Sequence, residues 1–308
     1  QFITSFVDAY NRTRLRCLDY KAPIELLSNP PGHNTQAGVH TLPFRSRRKC
    51  TSVAAMTATD LPYLAQAMPV AIAHRGSAAH HPENTMAAFD HAVALGYRYL
   101  ETDARITRDG VLLAFHDDRL DRVTDGAGLV AGHDWEQVRG ARVHGREPIP
   151  LMEELLATWP DVMINLDAKS DQVVEPMVRA IRRAGATDRV CVGSFSGARL
   201  KRFREAFGPR LCTSMGPAEV ARLRLASFGL PGGRLAAACV QIPEVQHGVR
   251  LVDARLLRWT RRAGLKVHVW TVNDRADMER LLDLGVDGLM TDETQTLKQV
   301  FQARGLWA

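Results

Sequence analysis

The stretch VAIAHRGSAAHHPENTMAAFDHAVALGYRYLETDARITRDGVLLAFHDD, residues 70–118, decides how the chain folds. It opens on a short apolar run, VAIAH (70–74). It then passes through NTMAAFDHAVALG (84–96), whose apolar residues recur at helical spacing and which stops at a glycine. A second strand-like run, YLETD (99–103), follows at once. A strand, a helix and a strand in that order form a βαβ unit, the building block of a parallel sheet.

Outward from this unit the alternation continues. Strand-like runs stand at LLAFHD (112–117), VMINLD (162–167), RVCVGSF (189–195), LCTSM (211–215), ACVQIP (238–243), VHVWTV (267–272) and GLMTD (288–292). Between them DQVVEPMVRAIRRAG, SGARLKRFREAFG, GPAEVARLRLASFG, VDARLLRWTRRAG and RADMERLLDLG carry the helical period, each ending in the glycine expected just past a helix. Strands that are apolar without polar alternation are buried on both faces. So many units predict an α/β fold, a closed (β/α)8 TIM barrel. Nine runs exceed the eight a barrel needs. The link between Asp103 and Leu112 is too short for a parallel crossover and carries Asp109-Gly110, a hairpin turn, so one of these two runs is not a regular barrel strand. An open doubly wound sheet is the rival, but it wants a glycine-rich phosphate loop after an early strand, and none is present.

Composition narrows the function classes. The chain has 308 residues, 45% hydrophobic and 24% charged, which is ordinary globular composition. Its net charge of +6 is concentrated: residues 1–55 hold eight Lys/Arg against three Asp/Glu, and the remainder is nearly neutral. The main body therefore lacks the electrostatic footprint of a nucleic-acid binder. No apolar run approaches the roughly 20 residues of a membrane span, and no secretory signal opens the sequence. The five cysteines, Cys17, Cys50, Cys191, Cys212 and Cys239, include no C-x-x-C pair. That pattern fits incidental thiols in a reducing compartment, with cytoplasm as the default, better than a disulfide frame or a zinc site.

Polar residues at the C-terminal ends of barrel strands carry the chemistry of such folds. Those ends supply His74 and Arg75, Glu101 and Asp103, His116, Asp167 with Lys169, Ser194, Gln241, Trp270 and Asp292. Glu101 and Asp103 are two apart and face one side of a strand. Like charges there repel unless a cation lies between them. With Asp167 they make a three-carboxylate set suited to Mg²⁺ or Ca²⁺; a structural ion pair with Arg75, Arg105 or Lys169 is the plainer alternative. His74 and His116 suit proton transfer near neutral pH, although a single buried histidine is more often just a satisfied one. Arg75 and Lys169 supply positive charge for a phosphate. Trp270 is a pocket wall or a core residue. Glu83 precedes a helix start and could also order the site. Residues 117–149 are Gly- and charge-rich and too long for a plain connection, and so read as a functional insertion over the barrel mouth.

Together HRG–x5–PENT, ETD–x5–DG, HD, NLDAK, VWTVN and GVDGLMTD resemble the glycerophosphodiester phosphodiesterases over about residues 69–301. The resemblance implies a TIM barrel with an insertion subdomain after the strand carrying His116, here 117–149. It implies His74 and His116 as the acid–base pair, Glu101, Asp103 and Asp167 as ligands of a divalent metal, and Arg75 on the phosphate. Asp167 stands where the family usually has Glu, and Lys169 matches its lysine. The implied reaction is hydrolysis of a small glycerophosphodiester to sn-glycerol 3-phosphate and an alcohol. A lysophospholipase D-type activity on lysolipids and a non-catalytic metabolite-binding barrel are the alternatives. Separately, residues 1–36 resemble the C-terminal tail of integrase-type transposases, at Tyr10, Asn11, Arg14, Tyr20, Ala22, Pro23 and Leu26. On that reading 1–55 is a non-domain leading segment and the domain spans 56–308, with Met56 as its natural start.

Overall fold

The computed structural model describes residues 61–233 and 235–307; the leading segment and Met56 lie outside the described residues. The ring is built from β1 (Val70–Ala73), β2 (Tyr99–Ile106), β3 (Met163–Ala168), β4 (Val190–Gly193), β5 (Cys212–Thr213), β6 (Cys239–Pro243), β7 (Lys266–Trp270) and β8 (Gly288–Thr291). Its order is β5-β4-β3-β2-β1-β8-β7-β6, with every neighbouring pair parallel. The two ends, β5 and β6, meet through a parallel bridge between Ser214 and Cys239. The Gln241 N–H also donates to Ser214 Oγ there, at 3.1 Å. The barrel is thus nearly closed, and this seam is its thinnest.

One helix follows each strand: α1 (Met86–Ala94), α2 (Met152–Thr158), α3 (Val174–Arg183), α4 (Gly197–Phe207), α5 (Pro217–Ser227), α6 (Ala254–Arg262), α7 (Arg275–Leu284) and α8 (Thr294–Ala303). Local chemistry sets their ends. Thr85 Oγ1 accepts from the Ala88 N–H at the start of α1, and Asp274 accepts from Ala276 and Asp277 at the start of α7. Gly285 then stops α7 in the left-handed region, at φ 90°, where a side chain would be strained. Leu100, Ile164, Leu166, Val190, Val192, Val240, Val267 and Leu289 are fully buried between sheet and helices, as double-sided burial of the strands predicts. At the N-terminal end of the barrel a 3-10 turn, Pro62–Leu64, packs Tyr63 and Leu64 against Val70, Tyr99, Cys191, Cys212, Cys239 and Met290.

The ninth run does not join the ring. Leu112–Ala114 pairs antiparallel with the end of β2, Ile106 opposite Leu112 and Ala104 opposite Ala114, around a turn closed by the Thr107 N–H to Val111 O at 3.0 Å. A link this short cannot host a crossover. His116 accordingly lies two residues beyond this hairpin strand, not at the end of a barrel strand as the run LLAFHD suggested. The chain after it forms the small insertion: a short helix, Trp135–Val138, capped by Asp134 and Gln137, and a two-stranded ribbon, Arg142–Val143 with Glu147–Pro148. Leu120, Val123, Val130, Val138, Ala141, Val143 and Ile149 pack with Leu113 and Phe115 into a core continuous with the hairpin. Among the described residues no helix is long and apolar enough to cross a membrane.

Candidate active site

The loop leaving β1 brings the first histidine and the arginine to the C-terminal mouth. The His74 N–H donates to Thr291 O at 2.9 Å, which fixes the loop on β8. His74 Nδ1 is 2.7 Å from Asp292 Oδ1, and its Nε2 is 3.8 Å from Glu101 Oε2. Burial pulls this imidazole's pKa down, but the charges of Glu101 and Asp292 outweigh it and leave the pKa raised. Asp292 is itself oriented by Asn273, which donates from Nδ2 to Asp292 Oδ2 at 2.8 Å and accepts the Asp292 N–H at 2.9 Å.

Arg75 stands at φ 52°, a conformation L-residues seldom adopt, and Gly76 follows where a Cβ would lie 2.8 Å from Ala88 backbone. This turn is anchored by the Arg75 N–H to Glu101 Oε2 at 3.0 Å and by the Asn84 N–H to Arg75 O at 3.0 Å. It aims the guanidinium at Glu83 Oε1, 2.8 Å from Nη1, and at Asp103 Oδ2, 3.4 Å from Nε. Nε is buried and makes no hydrogen bond.

Glu101 and Asp103 share one face of β2, at 5% and 2% exposure. Burial, then the Asp103 charge, pushes the Glu101 carboxyl up to about 7, against the pull of His74, Lys169 and Arg75. Asp103 goes the other way. Burial opposes its charge, but Lys169, His116 and Arg75 hold it well below the usual carboxylate range. Asn84 Nδ2 donates to Asp103 Oδ2 at 3.0 Å while Thr102 holds Asn84 Oδ1 at 2.7 Å. Asp167 is the register partner of Asp103 on β3. Lys169 Nζ lies 2.8 Å from Asp103 Oδ1 and 2.7 Å from Asp167 Oδ2, so it spans the two. The ion-pair alternative is therefore real: Lys169 and Arg75 both neutralise carboxylates here, and Glu101, Asp103 and Asp167 do not bring three oxygens within 4.8 Å of one another. Arg105 takes no part in those pairs and donates to His116 O at 2.9 Å. The donor set nevertheless fits a hard divalent cation. It is all oxygen, Asp167 Oδ1 is a buried acceptor with no partner, and Glu101 lacks enough nearby positive charge to hold it ionised at an ordinary pKa.

The second histidine is held from the insertion side. His116 Nδ1 is 2.6 Å from Asp117 Oδ1, and Arg122 Nη2 donates to the same oxygen at 3.1 Å. Arg122 also bonds Glu83 from Nη1 at 3.0 Å, so Glu83 sits between Arg75 and Arg122 and ties the insertion to the β1 loop. Burial lowers the His116 pKa, and the cations Lys169 and Arg75 reinforce it against Asp103 and Asp117. Both histidines thus have Nδ1 committed to a carboxylate, which leaves Nε2 as the less committed nitrogen. Trp270 ends β7 half-buried, edge-on to Phe195 with ring centroids 6.0 Å apart, and Phe195 is 59% exposed.

His74, Arg75, Glu83, Glu101, Asp103, His116, Asp167, Lys169 and Asp292 belong to one connected polar network, whereas Ser194, Gln241 and Trp270 make their contacts outside it. Sequence reasoning gave no role to Asp292, Asn273 or Asp117, which orient the histidines. Asp292 stood at a strand end and Asp117 directly follows His116, so position was the available signal; only the fold shows what each touches.

Residues 74–296 match the model of the glycerophosphoryl diester phosphodiesterase family. A probable glycerophosphodiester phosphodiesterase of Mycobacterium tuberculosis is 39% identical over 247 residues, covering 77% of this chain and 92% of that protein. A lysophospholipase D of Mus musculus is 27% identical, covering 74% and 84%. Among solved structures, an Oleispira antarctica phosphodiesterase in complex with the product sn-glycerol-3-phosphate superposes with a TM-score of 0.63 at 24% identity, over 76% of this chain and 97% of that one. A putative glycerophosphoryl diester phosphodiesterase from Silicibacter pomeroyi gives 0.68 at 24% identity, over 80% and 100%. A barrel with this mouth, and a sequence match across most of its length, place the chain in the glycerophosphoryl diester phosphodiesterase family.

Proposed function

We propose that the chain hydrolyses glycerophosphodiesters to sn-glycerol 3-phosphate and an alcohol, with His74 and His116 as the proton-transfer pair. The observation that carries this reading is the matched orientation of the two histidines. Each is tied at Nδ1 to its own carboxylate, one beside Glu101 and the other in the field of Asp103. His74 faces two carboxylates, which favour its protonated form and suit it to protonate the leaving alkoxide. Burial, joined by the neighbouring cations Lys169 and Arg75, outweighs Asp103 and Asp117 and favours the neutral form of His116, which suits it to take a proton from the nucleophile, a substrate hydroxyl or water. Arg75 and Lys169 bind the non-bridging phosphate oxygens. Glu101, Asp103 and Asp167 would hold a divalent cation, Mg²⁺ or Ca²⁺, which supplies positive charge against the phosphoryl oxygens. The shorter Asp167 side chain reaches less far than the Glu expected there. The near-neutral main body fits a small-molecule substrate better than a nucleic acid.

Hydrolysis of glycerophosphocholine by the full chain, with and without EDTA, tests the reading together with His116→Ala. Loss of a general acid or base typically costs about 10²–10⁴-fold. Near-normal turnover in that variant would refute the assignment. A second reading is favoured by the exposed Phe195 beside Trp270, an apolar lip able to meet a lysolipid chain. Faster release of choline from lysophosphatidylcholine than from glycerophosphocholine would select it.

A further inference from the structure

Three of the five cysteines, each on a different strand, meet inside the barrel. Cys191 on β4, Cys212 on β5 and Cys239 on β6 are fully buried, and their sulfurs lie within 4.8 Å of one another. Two separations are 3.8 Å (Cys191–Cys239) and 3.9 Å (Cys212–Cys239). A tetrahedral zinc thiolate with Zn–S of about 2.3 Å has sulfurs about 3.8 Å apart. The triad therefore already has close to the edge length that such an ion requires.

A further observation points to a ligand. Tyr63, from the 3-10 turn in the same packed cluster, has a buried hydroxyl with no hydrogen-bond partner. Barrel interiors are ordinarily filled with branched aliphatic side chains, and orphaned buried polar groups cost stability. Three thiolates held by a thiophilic ion give the orphaned hydroxyl of this cluster an acceptor.

We propose that Cys191, Cys212 and Cys239 bind one Zn²⁺ inside the barrel. The ion is distinct from any divalent cation held by Glu101, Asp103 and Asp167. Binding converts three thiols to thiolates and releases three protons to solvent. The site pins β4, β5 and β6 together across the seam where backbone pairing is thinnest.

The full chain, expressed with zinc, is dialysed against EDTA to strip exposed oxygen-bound ions, and its metal content is measured. A Cys17→Ser/Cys50→Ser background removes the other two thiols from the count. Close to one zinc per chain is expected, lost in Cys212→Ser and in Cys239→Ser and retained in Asp167→Asn. Refolding with Co²⁺ is expected to give a thiolate-to-cobalt charge-transfer band that Cys212→Ser weakens. A chain with no zinc and three titratable thiols, no charge-transfer band, or a disulfide between two of the three would each overturn the proposal. Because the readouts are metal content and spectrum, the outcome does not depend on the catalytic reading.

Discussion

Replacing Asp292 by Asn is expected to impair the enzyme more than removing the side chain altogether. Asp292 holds His74 Nδ1 at 2.7 Å with one oxygen and accepts from Asn273 Nδ2 at 2.8 Å with the other. Asn273 cannot turn over to help, because its Oδ1 already accepts the Asp292 N–H at 2.9 Å and the Thr291 hydroxyl at 3.0 Å. The new amide must therefore present its oxygen to Asn273 and its NH2 to His74. A donor facing Nδ1 forces the opposite tautomer and opposes the imidazolium. A hydrogen bond to a charged group contributes about 1.5–3 kcal/mol, and about 1.4 kcal/mol is a factor of ten in rate. Asp292→Ala, which loses that bond, should lower kcat for glycerophosphocholine by about 10–150-fold. Asp292→Asn adds the donor–donor conflict and should fall about tenfold further, with little change in KM and a melting temperature close to the parent's. Asp292→Asn at or above the activity of Asp292→Ala would refute the orientation argument.

Other outcomes follow from the same geometry. Glu101→Gln keeps an acceptor for the Arg75 N–H but removes a buried charge, so thermal stability should hold or rise. Activity in that variant should fall by about a thousandfold, reflecting several kcal/mol of lost charge stabilisation at a metal; retained EDTA-sensitive turnover would count against Glu101 as a ligand. Arg224 is buried and grips Asp253 from Nη2 at 2.9 Å, and Asp253 also caps α6. Burial opposes the Asp253 charge, but the Arg224 hydrogen bond and the cap outweigh it and depress its folded pKa. Its contribution is therefore complete above the unfolded value of about 3.9 and is lost as pH falls through the lower folded one. The melting temperatures of the parent and Asp253→Asn should differ at pH 7 and converge in strong acid. Leu113→Ala, in the core shared by hairpin and insertion, should cost about 2–5 kcal/mol in urea unfolding, and the loosened insertion should lower kcat through His116.

The fold was largely legible because its signal is local and repeated. Six of the eight helices declare their period and a closing glycine, so the alternation of strand and helix could be read along the chain. The ninth run, LLAFHD, was open between the two readings for a physical reason: a buried hairpin strand and a buried barrel strand carry the same apolar pattern, and only pairing direction separates them. The site was legible for a similar reason. Strand ends gather at one mouth, so reading them in order assembles His74, Arg75, Glu101, Asp103, Asp167 and Lys169 before any distance is known.

What sequence could not carry was who pairs with whom. Nothing in the spacing says that Asn273 holds Asp292, or that Lys169 divides its charge between Asp103 and Asp167, since these partners come from different strands. The cysteines make the contrast plainest. Read along the chain, Cys191, Cys212 and Cys239 are more than twenty positions apart and form no metal-binding motif. Barrel closure gives each successive strand one inward position at similar height, and there the three sulfurs meet. The sequence by itself determined the βα repeat, the barrel and the residues at its mouth, because those follow from local periodicity. Tertiary structure alone decided the partners of each charge and the meeting of the thiols, because those depend on register around a ring.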